Sequence, residues 1–91
     1  HLTRVQAKKL VGENILVNAI APGPFESMML GAAVNHDYSF IESRNPRKRI
    51  GSPEDIAGLT IFLCSRAGAY TVGAVIPSDG GLVGTAGHDL T

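Results

Sequence analysis

The sequence predicts an α/β fold: a doubly wound parallel sheet entered in the order helix, strand, helical excursion, helix, edge strand. Three observations carry that expectation. Residues 15–21 are mainly apolar on both alternating faces, the pattern of an interior parallel strand with helices on each side. The run stops abruptly at Pro22-Gly23, and ligands in open α/β sheets sit just beyond the carboxyl ends of such strands. A sharp helix start at Ser52-Pro53-Glu54-Asp55 then leads to a second short apolar run at Val75-Ile76. A crossover between parallel strands is right-handed, so strands at 15–21 and near 74–77 are expected to be parallel neighbours.

The first helix spans 2–11, with Leu2, Val5 and Leu10 spaced to share a face and Lys8 and Lys9 turned outward. Both lysines fall in its last turn, where positive charge complements the helix dipole. Gly12 is the expected terminator, free to adopt the left-handed conformation that closes many helices. A local alternative starts the helix at Thr3, because Thr3-x-x-Gln6 fits a capping box.

In the strand, Ile15, Val17, Ala19 and Ala21 point one way and Leu16, Asn18 and Ile20 the other. Asn18 is the polar exception, and it reads as a side chain bonded to neighbouring backbone. Residues 27–51 are the least regular region. Ser27 is placed to cap a short helix through Met28, Met29, Leu30, Ala32, Ala33 and Val34. A second short helix is expected from Asp37 to Arg44, with Tyr38, Phe40 and Ile41 as apolar contacts, before a turn at Asn45-Pro46.

Ser52 is the expected N-cap of the long helix, Pro53 has its φ already set, and Glu54 and Asp55 meet the positive end of the dipole. That helix should reach Cys64 or Ser65, with Ile56, Leu59, Phe62 and Leu63 as its buried stripe. Gly68 then allows a turn. Pro77 cannot donate a ladder hydrogen bond, so the last strand belongs at a sheet edge. The small and polar residues of 82–91 suggest a loose tail.

Ninety-one residues allow one small domain, and the 44% hydrophobic content argues against disorder. Eleven Gly and five Pro imply many turns and a thin core. A net charge of zero gives no global field to attract nucleic acid or an anionic membrane, and no apolar run approaches the roughly 20 residues that span a bilayer. One cysteine, Cys64, excludes an internal disulfide framework and fits a reducing, cytoplasmic setting, where it reads as an inert packed thiol. The spacing of His1, His36 and His88 matches no metal template, so no metal is expected. Arg47-Lys48-Arg49 reads as a solvated turn.

The stretch Asn18-Ala19-Ile20-Ala21-Pro22-Gly23-Pro24-Phe25-Glu26-Ser27 resembles the N-A-I-A-P-G-P-V-E-T motif of the short-chain dehydrogenase/reductase family, with Phe25 and Ser27 replacing Val and Thr. Arg49-Ile50-Gly51-Ser52-Pro53-Glu54-Asp55-Ile56-Ala57 is similar to a second family block, and Gly73 to Gly81 resembles its closing strand. The resemblance implies that residues 1–91 are the C-terminal part of a Rossmann-type domain. It also implies an oxidoreductase that interconverts an alcohol and a ketone with NAD or NADP, closest in tone to 3-oxoacyl reductases. Pro22, Gly23, Pro24, Phe25 and Ser27 would then form the cofactor loop, with the Phe25 backbone on the nicotinamide carboxamide and the Ser27 hydroxyl beside it.

The helical excursion would be a substrate lid that includes Met28, Met29, Tyr38 and Phe40. Arg47 and Lys48 stand where Leu-Gly is common and would tune substrate entry, whereas Arg49 and Gly51 match the family pattern and are structural. Asp79-Gly80-Gly81 would end the last strand near a subunit interface. The family's Gly-rich phosphate loop, catalytic Ser and Tyr-x-x-x-Lys pair do not occur in these residues. The expectation is therefore a chain that starts just past its catalytic groups, is inactive alone, and pairs with the N-terminal portion or with another copy. The alternative expectation is a truncated, non-catalytic module that associates through an exposed sheet edge.

Overall fold

The computed structural model describes residues 1–25, 27–35 and 37–87. Glu26, His36, residues 88–91 and the side chains of Met28 and Met29 lie outside the described residues, so the expectations for His36, His88, the tail's last residues and the two methionine side chains rest on sequence alone.

Helix α1 runs Leu2–Leu10, with Lys8 and Lys9 in its last turn. His1 precedes its first turn without a side-chain cap, so Thr3 lies inside the helix and the Thr3-Gln6 capping box does not form. The terminator is also displaced. The chain tightens through a 3-10 turn at Val11–Glu13, and Asn14, not Gly12, takes the left-handed conformation at φ 60°. Asn14 N–H donates to the Val11 carbonyl (3.0 Å) and Ile15 N–H to the Leu10 carbonyl (3.3 Å), the paired bonds of a Schellman ending. Asparagine tolerates this backbone region, which leaves Gly12 within the extra turn.

Strand β1 is Ala19–Pro22 and pairs in parallel with β2, Val75–Ser78, with Ala19 opposite Val75 and Pro22 opposite Ser78. The parallel pairing is as expected, but the first strand is shorter than 15–21. Asn18 explains part of the difference. Its amide donates to the Thr71 carbonyl (2.8 Å) and accepts from Ala74 N–H (3.0 Å), so a side chain takes the place of ladder bonds where β2 has not yet begun. Pro77 faces Ala21, and among the described residues β2 pairs with β1 alone.

Two short helices follow, α2 at Met28–Ala33 and α3 at Ser39–Arg44. The long helix α4 is Pro53–Cys64. Its start is built as the sequence implies: the Asp55 carboxylate accepts from Ser52 N–H (2.8 Å) and from the Ser52 hydroxyl (3.1 Å). The buried stripe is only partly realised. Ile56, Leu59 and Leu63 are half-buried, but Phe62 is exposed. Cys64 is exposed as well, not packed, because it sits on the rim of an open cleft of about 290 Å³ with Leu16, Ile20 and Leu63. A 3-10 turn at Arg66–Gly68 leads back toward β2, and residues 81–87 form turns in which Thr85 N–H returns to the Gly81 carbonyl at 2.9 Å.

The molecule has little interior. Among the described residues Ala7 is the buried apolar side chain, while Leu2, Val5 and Ile61 are at least half exposed. Accessible surface is 6920 Å², against about 5,000 Å² for a folded monomer of this mass. The radius of gyration is 15.8 Å, where roughly 12 Å is ordinary for this length. Among the described residues, no helix is long and apolar enough to cross a membrane.

Candidate functional site

Three segments meet at the carboxyl ends of the two strands: Pro22–Phe25 after β1, Asn45–Ser52 before α4, and Ser78–Gly81 at the end of β2. Gly23 N–H donates to the Ser78 carbonyl at 3.0 Å and extends the parallel ladder by one bond. A Cβ on Gly23 would stand 2.6 Å from the Asp79 Cβ, so only glycine lets the two backbones approach this closely. The Pro24 carbonyl then accepts from Gly51 N–H at 2.8 Å, and Phe25 and Gly51 form an isolated parallel bridge. The Phe25 ring occupies the space that a Gly51 side chain would fill. The bulk that Phe25 introduces is thus absorbed by Gly51.

The bridge also sets where the Phe25 backbone points. In parallel pairing the bridged residue's partner bonds to its two neighbours, so its own N–H and C=O face the other side. Among the described residues neither Phe25 group has a hydrogen-bond partner. Beside them runs an open groove of about 470 Å³ lined by Pro22, Gly23, Pro24, Phe25, Ser27 and Leu30. Ser27 is extended, and its Oγ accepts from Leu30 N–H at 3.1 Å to cap α2. That bond uses the oxygen as acceptor and leaves the hydroxyl proton available. The structure therefore gathers Pro22, Gly23, Pro24, Phe25 and Ser27 on one groove, with two unpaired backbone groups and a hydroxyl.

The other lid candidates lie elsewhere. Tyr38 is half-buried and Phe40 is 68% exposed with the Arg44 guanidinium 4.8 Å above its ring; neither lines the groove. Leu30 does, although its sequence marks it only as a residue of the short helix that Ser27 caps. Asp37 accepts from both the Ser39 hydroxyl and Ser39 N–H at the start of α3. These bonds, the hydroxyl first, hold its carboxyl below the usual range.

Asn45 is the residue that sequence reasoning missed. Read as part of a turn, it is 2% exposed and is the largest fully buried side chain among the described residues. Its amide donates to the Asp79 carbonyl and accepts from Arg47 N–H, both at 2.9 Å. Arg47 N–H also reaches the Gly80 carbonyl (3.1 Å), and Lys48 N–H the Asn45 carbonyl (2.9 Å). Gly80 has φ 70°, and a side chain there would overlap Asn45. Asn45 thus clamps the end of the helical excursion to the end of β2. The only sequence signal was a Gly pair at 80–81, which implies close approach without naming the partner.

Arg49 is committed to structure. Its guanidinium makes a two-pronged pair with Asp55 (2.7 and 3.1 Å) and a bond to the Ile50 carbonyl. Arg49, then Ser52 N–H, holds the Asp55 carboxyl well below the usual range, and Asp55 in turn raises Arg49. Asp79 is also occupied, accepting from the Gly81 and Val83 amides. A second cavity of about 190 Å³ lies between these groups and shares Pro24 and Phe25 with the groove. Among the described residues no cluster of three or more His, Cys, Asp or Glu is arranged to hold a metal.

Parallel strands whose carboxyl ends converge on a Pro-Gly loop, with helices between them, define a Rossmann-type α/β unit. Residues 1–83 match the family described as enoyl-(acyl carrier protein) reductase, and the chain belongs to the short-chain dehydrogenase/reductase family. It is 49% identical over 83 residues to the rhamnolipids biosynthesis 3-oxoacyl-(acyl-carrier-protein) reductase of Pseudomonas aeruginosa, covering 88% of this chain and 32% of that protein. It is 43% identical over 82 residues to the 3-oxoacyl-(acyl-carrier-protein) reductase FabG of Thermotoga maritima, covering 90% and 33%. The solved RhlG/NADP active-site complex of Pseudomonas aeruginosa matches with a TM-score of 0.80 at 47% identity, over 88% of this chain and 33% of that one. The chain spans about a third of the length of the curated relatives it matches.

Proposed function

We propose that these residues serve as the C-terminal part of an NAD(P)-dependent oxidoreductase that interconverts a ketone and an alcohol, with 3-oxoacyl thioesters as the leading substrate class. The observation that carries the reading is the orientation of Phe25. Among the described residues its N–H and C=O have no partner, and Phe25 and Ser27 line one open groove, which offers a donor-acceptor pair of the kind a primary carboxamide requires.

When bound, the nicotinamide supplies or accepts the hydride. The chain's own part is to orient it. The Phe25 backbone holds the carboxamide, Ser27 donates to the carboxamide or to the pyrophosphate, and Gly23 keeps the loop close to β2. The helical excursion, with Met28, Met29, Tyr38 and Phe40, covers the substrate and excludes water. The groups that move the proton, a Tyr assisted by Lys and Ser, belong to the portion of the enzyme that completes the site. Association with that portion, or with a second copy, is part of the same reading and is supported by roughly 1,900 Å² of surface beyond that of an ordinary monomer. The free, exposed thiol of Cys64 supports a reducing, cytoplasmic setting.

The test is NADPH- and NADH-dependent reduction of acetoacetyl thioesters by the full-length enzyme carrying these residues. Turnover is expected, with Ser27→Ala raising the KM for the cofactor about two- to tenfold, the effect of one lost hydrogen bond. An enzyme that binds neither dinucleotide contradicts the proposal.

A further inference from the structure

We infer that Arg47, aided by Lys48, forms a subsite for an anionic group on the substrate, so that the enzyme prefers ketones that carry a phosphate or carboxylate. The inference rests on the oxidoreductase reading above and names its substrate class more closely. Arg44, Arg47, Lys48 and Arg49 place half of the chain's eight basic residues within six positions, in a molecule of zero net charge. Three of the four are already engaged. Arg44 lies over Phe40, Lys48 Nζ donates to the Ser43 carbonyl at 2.8 Å, and Arg49 is paired with Asp55. Among the described residues the Arg47 guanidinium has no partner.

Arg47 is held for such a task. Its N–H is fixed by both Asn45 and Gly80, so the backbone is pinned while the charged head stays exposed. It lines the cavity of about 190 Å³ whose other wall is Pro24 and Phe25, the loop assigned to the nicotinamide. The two carboxylates of that cavity are spoken for: Asp55 by Arg49, and Asp79 by two backbone amides. An incoming anion therefore meets a guanidinium that has no partner among the described residues, in a cavity that shares Pro24 and Phe25 with the groove assigned to the nicotinamide.

Lys48 adds a second observation. It sits at φ 62°, a conformation that costs a side-chain-bearing residue energy and that the glycine resembling family members carry there would adopt freely. Local folding alone does not favour lysine at this position. Where similar family members carry an apolar residue and a glycine, this chain has two adjacent cations, of which Arg47 lines the cavity and Lys48, tethered to the Ser43 carbonyl, adds positive charge beside it; an anionic substrate is what the pair would recognise. Arginine is suited to either oxyanion because its planar fork bonds two oxygens at once.

The experiment compares matched substrates in the full-length enzyme: acetoacetyl-CoA against acetoacetyl-N-acetylcysteamine, and a small keto acid against its ethyl ester. The double variant Arg47→Leu, Lys48→Gly restores the family-like residues and so keeps a foldable loop. A preference for one or both anionic substrates is expected in the unmodified enzyme, weakening as ionic strength rises. In the double variant that preference, measured as the ratio of kcat/KM values, should fall about five- to tenfold, mainly through KM. Which pair shows the effect decides between a phosphate and a carboxylate. Turnover of all four substrates with no charge preference, or a preference that survives the double variant, overturns this inference and leaves the oxidoreductase reading standing. No turnover of any of them overturns both.

Discussion

Replacing Asn45 with alanine tests whether the clamp at the end of the helical excursion is as important as its burial suggests. The side chain makes two 2.9 Å bonds, one to the Asp79 carbonyl and one from Arg47 N–H. Arg47 N–H keeps a second acceptor, the Gly80 carbonyl at 3.1 Å, so its loss is partial. Among the described residues the Asp79 carbonyl has no such reserve, and this part-buried acceptor left unpaired costs up to about 1–3 kcal/mol. With a smaller contribution from the weakened Arg47 bond, Asn45→Ala should cost about 2–3 kcal/mol. In a full-length enzyme of the relatives' size this lowers the melting temperature by roughly 4–12 °C. Asn45→Asp gives the control. It keeps the acceptor for Arg47 but sets a carboxylate against the Asp79 carbonyl, so it should be at least as damaging at neutral pH and partly recover as acid protonates the new carboxyl. Thermal melts of the two variants against pH decide the matter. Unchanged melting temperatures in both would refute the clamp.

Four further expectations follow. Gly51→Ala should push the Phe25 ring out of its place, weakening NADPH affinity roughly tenfold, with a stability loss of about 1–3 kcal/mol for the overpacking; a nucleotide titration showing unaltered affinity would count against the Phe25–Gly51 contact. Asp55 has a depressed folded-state pKa, so the stability it contributes is complete above its ordinary value of about 3.9 and is lost as pH falls below it. The stability difference between wild type and Asp55→Asn should accordingly shrink below about pH 4, and a difference that stays constant into that acid range contradicts the pairing. The 91-residue chain by itself should reduce no ketone, since Tyr38 and Tyr70 are followed four positions later by Glu42 and Ala74. It should also self-associate at micromolar concentration, driven by its uncovered apolar surface at about 25 cal/mol per Å²; a monomer by light scattering with a cooperative thermal transition argues against this.

What could be read from the sequence was what short-range chemistry decides. Ser52-Pro53 and Asp55 start α4 through bonds that span three residues, and Ser27 caps α2 in the same local way. The parallel pairing of β1 with β2 was legible because both strands are short, apolar and separated by a crossover. Asn18 was recognised as a backbone-bonding side chain, although its partners, Thr71 and Ala74, lie more than fifty positions away. The features that escaped depend on such distant partners entirely. Asn45 looked like turn chemistry because its burial is created by Asp79 and Gly80. Phe62 and Cys64 lie on an apolar stripe, and a stripe reports a face fit for burial without reporting whether anything covers it. Gly12 lost the helix ending to Asn14 because either residue can be left-handed, and one additional 3-10 turn decides between them. The loop from Pro22 to Phe25, with Ser27, is read from its motif, but that the Phe25 N–H and C=O have no partner among the described residues follows from the bridge to Gly51, which no local pattern encodes.

The groove beside Phe25 and Ser27 is expected to receive the nicotinamide end of the cofactor. A crystal structure of the full-length enzyme with NADP bound tests it most directly. The carboxamide should then lie within hydrogen-bond distance of both Phe25 N–H and Phe25 C=O, with the Ser27 hydroxyl donating to the carboxamide or the pyrophosphate. A dinucleotide bound with its nicotinamide away from this loop, or Phe25 backbone groups taken up by another protein segment, would contradict it.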